Sequence, residues 1–168
     1  MLSFDRSSLE TKAARVDGKL PANDPVWLEG DSRPTGDLVV NGRLSSAGDG
    51  RFYFSGRMTG EAEADCRRCL TPARQTVAEE LHLLFADGGD DEADESDVYL
   101  LEPRATTVDL RPALREEWLL VVPGFVLCRE DCKGLCPRCG ADLNQGPCTC
   151  ETEIDTRWDA LRRPHGED

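Results

Sequence analysis

The sequence predicts an α+β protein: an antiparallel β-sheet or partly closed barrel, one main helix packed on it, and a cysteine-rich zinc-binding lobe. Three observations predict it. From Val26 to about Phe85, short apolar runs alternate at period two between glycine-rich turns. One helical pattern follows, over roughly Arg111 to Val121. Eight cysteines then fall into four close pairs, Cys66/Cys69, Cys128/Cys132, Cys136/Cys139 and Cys148/Cys150, the last three within 23 residues. A chain of 168 residues suits a single domain with a core of its own. The reading divides it into a β region at 1–86, an acidic loop at 87–97, a strand and helix at 98–127, a zinc lobe at 128–150, and a short helix with a tail at 151–168.

Asp37-Leu38-Val39-Val40-Asn41-Gly42 is an apolar run closed by turn chemistry, and Ser46-Ala47-Gly48-Asp49-Gly50 is a hairpin turn leading into Arg51-Phe52-Tyr53-Phe54. Residues 57–65 alternate enough for a half-exposed strand, and Cys66-Arg67-Arg68-Cys69 makes the next turn. From Thr76 to Phe85, Val77, Glu79, Leu81, Leu83 and Phe85 share one strand face. Asp87 to Asp97 holds seven acidic residues in eleven and nothing large and apolar to bury, so a disordered loop is expected. Thr106–Leu110 reads as a strand ending at Asp109, the expected N-cap of a helix that carries Pro112 in its first turn and Leu114, Trp118 and Val121 along one side. Pro123-Gly124 ends that helix. Beyond the cysteines, Asp155 is expected to cap a final short helix bearing Trp158 and Leu161.

A Cys-x-x-Cys turn sets two thiolates on one side of a tight loop, about the separation a tetrahedral Zn²⁺ needs at ~2.3 Å per bond, so four pairs read as two four-cysteine zinc sites. The rival readings are a disulfide framework, which calls for an oxidising compartment, and thiol redox chemistry, which needs only one pair. The opening residues show no apolar leader and no run approaches a membrane span, so a cytoplasmic protein is expected. Chain spacing favours Cys136/Cys139 with Cys148/Cys150 around one ion, leaving Cys66/Cys69 with Cys128/Cys132 around the other. The alternative joins Cys128/Cys132 to Cys136/Cys139.

The formal charge is −13, and two loaded four-thiolate sites would take it to about −17. Such a chain repels nucleic acid at long range, so any RNA contact requires a local basic patch. Arg67, Arg68, Arg129, Lys133 and Arg138 would gather beside the first cysteine site, either to neutralise its thiolates or to meet phosphate or an acidic protein face. His82 and His165 are not at ligand spacing, and no Ser-His-Asp set, phosphate loop or paired-carboxylate motif is present. The expectation is a non-enzymatic protein without a small-molecule substrate or a membrane. A zinc-dependent interaction adaptor and a thiol redox sensor are the competing functions.

Cys66-Arg67-Arg68-Cys69-Leu70-x-Pro72, Val108-Asp109-Leu110-Arg111-Pro112, the run from Cys128 through Cys132-Lys133-Gly134-Leu135-Cys136-Pro137-x-Cys139-Gly140 to Asn144, and Asp155-Thr156-Arg157-Trp158-x-x-Leu161 together resemble the YceD-like family of bacterial and plastid proteins. The resemblance spans most of the chain in order. It implies a cytoplasmic, non-enzymatic factor needed for accumulation of 23S ribosomal RNA, acting on that RNA or on a large-subunit protein of the pre-50S particle. Family members often have Asp-Pro-Arg-Trp where this chain has Thr156, which lacks proline's preset φ at the start of a helix.

Overall fold

The computed structural model describes residues 1–88, 98–102 and 104–150. The acidic loop beyond Gly88 and the final helix with Trp158 lie outside the described residues. Two long strands dominate: β4 (Arg51–Asp65) and β5 (Pro72–Asp87) pair antiparallel over fourteen register positions, from Phe52↔Phe85 to Asp65↔Pro72. Strand β3 (Leu38–Gly48) joins β4 through a tight hairpin in which Gly48, Asp49 and Gly50 all have positive φ, the left-handed backbone that the Gly-Asp-Gly sequence supplies. These three strands lie where alternation placed them. Glu79 is the exception, in phase with the buried face yet exposed.

Strand β2 (Ala14–Leu20) adds to the far side of β3, a strand that sequence reading missed. Its inward set is Val16, Gly18 and Leu20, with Arg15, Asp17 and Lys19 outward, so the apolar signal is thin. At Gly18 a Cβ would sit 2.8 Å from Leu2 Cδ2, so the small residue makes room for Leu2. Strand β6 (Val98–Leu101) lies parallel to β5, which corrects the expectation of a wholly antiparallel sheet. The order is β2-β3-β4-β5-β6, and among the described residues β2 and β6 are the edges and do not pair. Asp87, expected as the first loop residue, is the end of β5, and its carboxylate takes two hydrogen bonds from Arg6 at 2.8 and 2.6 Å.

A separate two-stranded ribbon pairs β1 (Ser3–Asp5) with β7 (Thr107–Asp109). A short helix α1 (Arg6–Thr11), which sequence reading did not anticipate, follows β1 and is capped by Asp5, whose Oδ1 accepts the Ser8 N–H at 2.9 Å. The main helix α2 (Arg111–Val121) has its expected bounds, but its N-cap position is Leu110, without a side-chain cap. Asp109 instead accepts the Arg111 N–H at 3.1 Å and grips the same residue's guanidinium. Ala113, Leu114 and Trp118 face the sheet, where Trp118 is fully buried and donates its indole N–H to the Ser32 carbonyl at 2.7 Å.

The core between α2 and the inner sheet face contains Phe52, Phe54, Phe85, Leu20, Leu38, Leu44, Met58 and Leu81, all 2% exposed or less. Three glycines let aromatic rings lie against backbone. Gly42 and Gly56 face each other across β3 and β4 under Phe54, and Gly60 lies under Trp118. A Cβ on Gly56 would fall 2.6 Å from Phe54 Cζ, so the ring needs the bare backbone. No buried side-chain nitrogen or oxygen among the described residues lacks a hydrogen-bond partner.

Candidate metal centres

At the far end of the β4–β5 ribbon the chain turns through Cys66-Arg67-Arg68-Cys69. The Leu70 N–H returns to the Cys66 carbonyl at 2.8 Å and the Cys66 N–H bonds the Thr71 carbonyl at 2.8 Å. Cys136-Pro137-Arg138-Cys139 repeats the same turn: Gly140 N–H to the Cys136 carbonyl at 2.9 Å, and Cys136 N–H to the Ala141 carbonyl at 2.8 Å. The residue after the second cysteine is left-handed in both, Leu70 at φ +60° and Gly140 at φ +73°. The first knuckle therefore holds a leucine where the second has the residue suited to that conformation.

The two knuckles nucleate two tetrads. Cys66, Cys69, Cys128 and Cys132 form one, Cys136, Cys139, Cys148 and Cys150 the other, and within each tetrad all sulfurs lie within 4.8 Å of one another. This grouping is the one chain spacing favours, and the alternative joining Cys128/Cys132 to Cys136/Cys139 is not what the chain adopts. Sulfurs on the vertices of a tetrahedron of ~2.3 Å bonds stand about 3.8 Å apart. In the first tetrad Cys66 Sγ to Cys132 Sγ is 3.8 Å and Cys69 Sγ to Cys128 Sγ is 3.6 Å. A disulfide needs about 2.05 Å. The donor set and its spacing thus fit one tetrahedral thiophilic cation per tetrad.

Backbone N–H groups converge on the leading sulfur of each knuckle. The N–H of Cys128, with those of Cys69 and Arg68, pulls the Cys66 thiol down to about 6. The N–H groups of Cys139 and Arg138 pull Cys136 to about 6 in the same way. Cys69 is lowered chiefly by the Thr71 hydroxyl. Cys128, sharing protons with Cys69 and partly desolvated, is raised to about 12, and Cys150 beside Cys139 likewise to about 12. The leading thiol of each tetrad ionises most readily, while the raised Cys128 and Cys150 would give up their protons to a bound cation.

The first tetrad joins the ribbon to the segment after α2. Cys66 bridges Val126 in parallel, and the Arg67 N–H bonds the Val126 carbonyl at 3.0 Å. Arg68 is exposed, and its Nη1 donates to the carbonyls of Cys132 at 2.7 Å and Glu130 at 3.3 Å. Arg129 pairs with Asp131 at 3.4 Å, while Arg67 and Lys133 are exposed. Gly134, at φ +75°, passes so close to Arg68 that a Cβ would lie 2.8 Å from the Arg68 carbonyl oxygen.

Sequence reading missed Asn144. Its Oδ1 accepts the Lys133 N–H at 2.8 Å, its Nδ2 donates to Asp142 at 2.7 Å and reaches Cys132 Sγ at 3.5 Å, so it ties the second lobe loop to the first tetrad. The signal available was the Asp-Leu-Asn turn sequence.

The fold and these centres define a class: an α+β protein carrying a lobe built on two closed tetracysteine sites. The family described as "Large ribosomal RNA subunit accumulation protein YceD" matches residues 54–163, and the chain belongs to that family. An uncharacterized protein of Mycobacterium tuberculosis (strain ATCC 25618 / H37Rv) is 35% identical over 126 residues, 74% of this chain and 60% of the relative. The uncharacterized protein YlbN of Bacillus subtilis (strain 168) is 28% identical over 140 residues, 83% and 80% of the two chains. The chain spans about 60% of the length of the mycobacterial relatives it matches. No solved structure matches. No helix among the described residues is long and apolar enough to cross a membrane.

Proposed function

We propose that the chain is a non-enzymatic, cytoplasmic factor that binds two zinc ions and supports accumulation of 23S ribosomal RNA in large-subunit biogenesis. The observation that carries this reading is that the family match, residues 54–163, takes in every cysteine of both tetrads, so both candidate metal centres lie within the part of the chain that resembles the family. The zinc role is structural: four thiolates leave no position for water and quench the metal as a Lewis acid. The lobe then presents Arg67, Lys133 and the neighbouring Arg68, Arg129 and Arg138 on a rigid knuckle beside the ribosomal RNA or a large-subunit protein of the pre-50S particle. The charge of −13 suits contact with a basic ribosomal protein, whereas the family's description points to the RNA.

The test is depletion and complementation. Cells depleted of the protein should lose mature 23S relative to 16S ribosomal RNA, and the wild-type chain should restore it where Cys66→Ser or Cys136→Ser does not. An unchanged 23S to 16S ratio on depletion would overturn the ribosomal reading. Full rescue by a chain that retains no zinc would overturn the role of the metal.

A further inference from the structure

The outward face of the sheet is unlike the rest of this acidic chain. Register places Arg15, Arg43, Ser55 and His82 in one row across β2 to β5, and Asp17, Asn41, Arg57 and Glu80 in the next. Tyr53 stands diagonal to His82, one row further along, where Ser45 and Leu84 flank it. Arg15, Arg43, Arg57, Tyr53 and His82 are all exposed.

Two properties single out this face. Arg6, Arg74, Arg111, Arg115 and Arg129 are matched with carboxylates and Arg33 and Arg68 bond backbone carbonyls, whereas Arg15, Arg43 and Arg57, like the scattered Arg67 and Arg104, make no ion pair or side-chain hydrogen bond among the described residues, and these three stand together on one face. Glu80 lies opposite Arg57 and Asp17 lies in the same row without closing on it. The Tyr53 hydroxyl and His82 Nδ1 are 2.8 Å apart, with rings 17° from parallel and centroids 6.2 Å apart. At that separation the rings meet end to end, not face on face, and form one flat π surface open to solvent. Beyond Arg43, at the β2 edge, Lys12, Ala13, Ala14, Arg15, Gly42 and Arg43 line a shallow depression of about 510 Å³.

Unpaired guanidinium groups beside a flat aromatic surface on an open sheet are what single-stranded nucleic acid requires: cations for phosphates and a ring face for bases. Charge complementarity selects this occupant, since the face gathers unmatched arginines in a chain of −13 that would otherwise repel it. We propose that the outer sheet face binds single-stranded RNA, with Tyr53 and His82 as the stacking surface and Arg15, Arg43 and Arg57 as phosphate contacts. This rests on the reading that the chain serves large-subunit ribosomal RNA, and it names the surface. The aromatic pair lies twelve residues along β4 from the Asp65 end, about 40 Å of strand at 3.3 Å per residue, so it is separate from the knuckle.

The experiment uses the full zinc-loaded chain and a fluorescein-labelled single-stranded RNA of ten mixed nucleotides, read by anisotropy. The wild type should bind with a log-log salt slope near −2, about 0.7 per cation. Arg43→Glu with Arg57→Glu should weaken binding at least about 10-fold, and Tyr53→Ala about 10-fold. Tyr53→Phe, which keeps the ring, should stay within about 3-fold, and melting temperature and zinc content should hold in all variants. No binding by the wild type, unchanged binding by the sheet variants, or loss in Arg67→Glu alone would overturn the proposal. The same variants are scored in depleted cells. A normal 23S level on depletion fails the functional reading, whereas a 23S defect fully rescued by the sheet variants fails only this surface. Crosslinks from Tyr53 to a ribosomal protein in place of RNA would overturn the occupant.

Discussion

The sheet half and the lobe half of this molecule are held by different forces. Among the described residues, twenty-two buried apolar side chains form the core of the sheet half, including Trp118, Phe52, Phe54 and Phe85. The cluster at the lobe consists of Cys66, Cys69, Ala73, Val126 and Cys132, of which only Ala73 and Val126 are not cysteine. Burying a large side chain contributes about 1.5–3 kcal/mol, so the first region folds on its own apolar area. The second has too little area to offset its ordering entropy and depends on sulfur chemistry. Metal bound at the two tetrads would therefore organise the cysteine-rich segment and leave the sheet to fold by its own core.

Removing the metal breaks the comparison most severely. Structural zinc contributes on the order of 10–16 kcal/mol of apparent binding in small peptides. Chelation should unfold residues 122–150 and leave the sheet protected, an outcome that hydrogen exchange resolves by segment. Cys66→Ser should halve the zinc content and expose Cys128 and Cys132 to alkylation, with Cys136, Cys139, Cys148 and Cys150 still shielded; reactive Cys136 would mean that the two centres are not independent.

The converse variant is Trp118→Ala, which empties a fully buried site over Gly60. A loss of about 3–5 kcal/mol is expected in denaturant titration, with zinc stoichiometry unchanged in the folded fraction. If zinc falls in parallel, the two halves are one cooperative unit. Smaller and of opposite sign, Leu70→Gly should stabilise by up to about 1 kcal/mol, because it gives the first knuckle the left-handed residue that the second already has at Gly140. Thermal melting of the zinc-loaded chain checks it.

The smallest effect concerns pH. Asp31, held at 2.6 and 2.8 Å by Arg115, has its carboxyl lowered first by that hydrogen-bonded guanidinium. A depressed carboxyl stabilises the fold above its unfolded value near 3.9, and that contribution is lost as pH falls through the lower folded value. Asp31→Asn should therefore flatten the acid limb of the stability profile below about pH 4 and leave neutral zinc content unchanged.

What was legible in the sequence follows the range of the interactions. The knuckles were readable because a ligand pair three positions apart is set by one turn, and β3, β4, β5 and α2 because burial imprints a period on them. Strand β2 escaped because Gly18 yields its side-chain space to Leu2, and β6 because four residues at a parallel edge acquire meaning only beside β5. That the exposed Arg68 also bonds the Cys132 carbonyl was not legible, since no local pattern brings residues 64 apart in sequence together. Tyr53 and His82 are 29 residues apart and meet only through the register of β4 with β5.

The first tetrad also has a mechanical meaning. It joins Cys69 to Cys128, 59 residues apart, across a stretch that contains β5, β6, β7 and α2. Once loaded with metal, tension pulling from the C-terminal side passes from Cys128 straight to the hairpin tip and bypasses that stretch. An unfolding motor that grips the C-terminal end must then rupture zinc-thiolate bonds before it can peel Trp118 from the sheet. With metal in place, the lifetime of the protein against such a machine would be set by ligand exchange at sulfur.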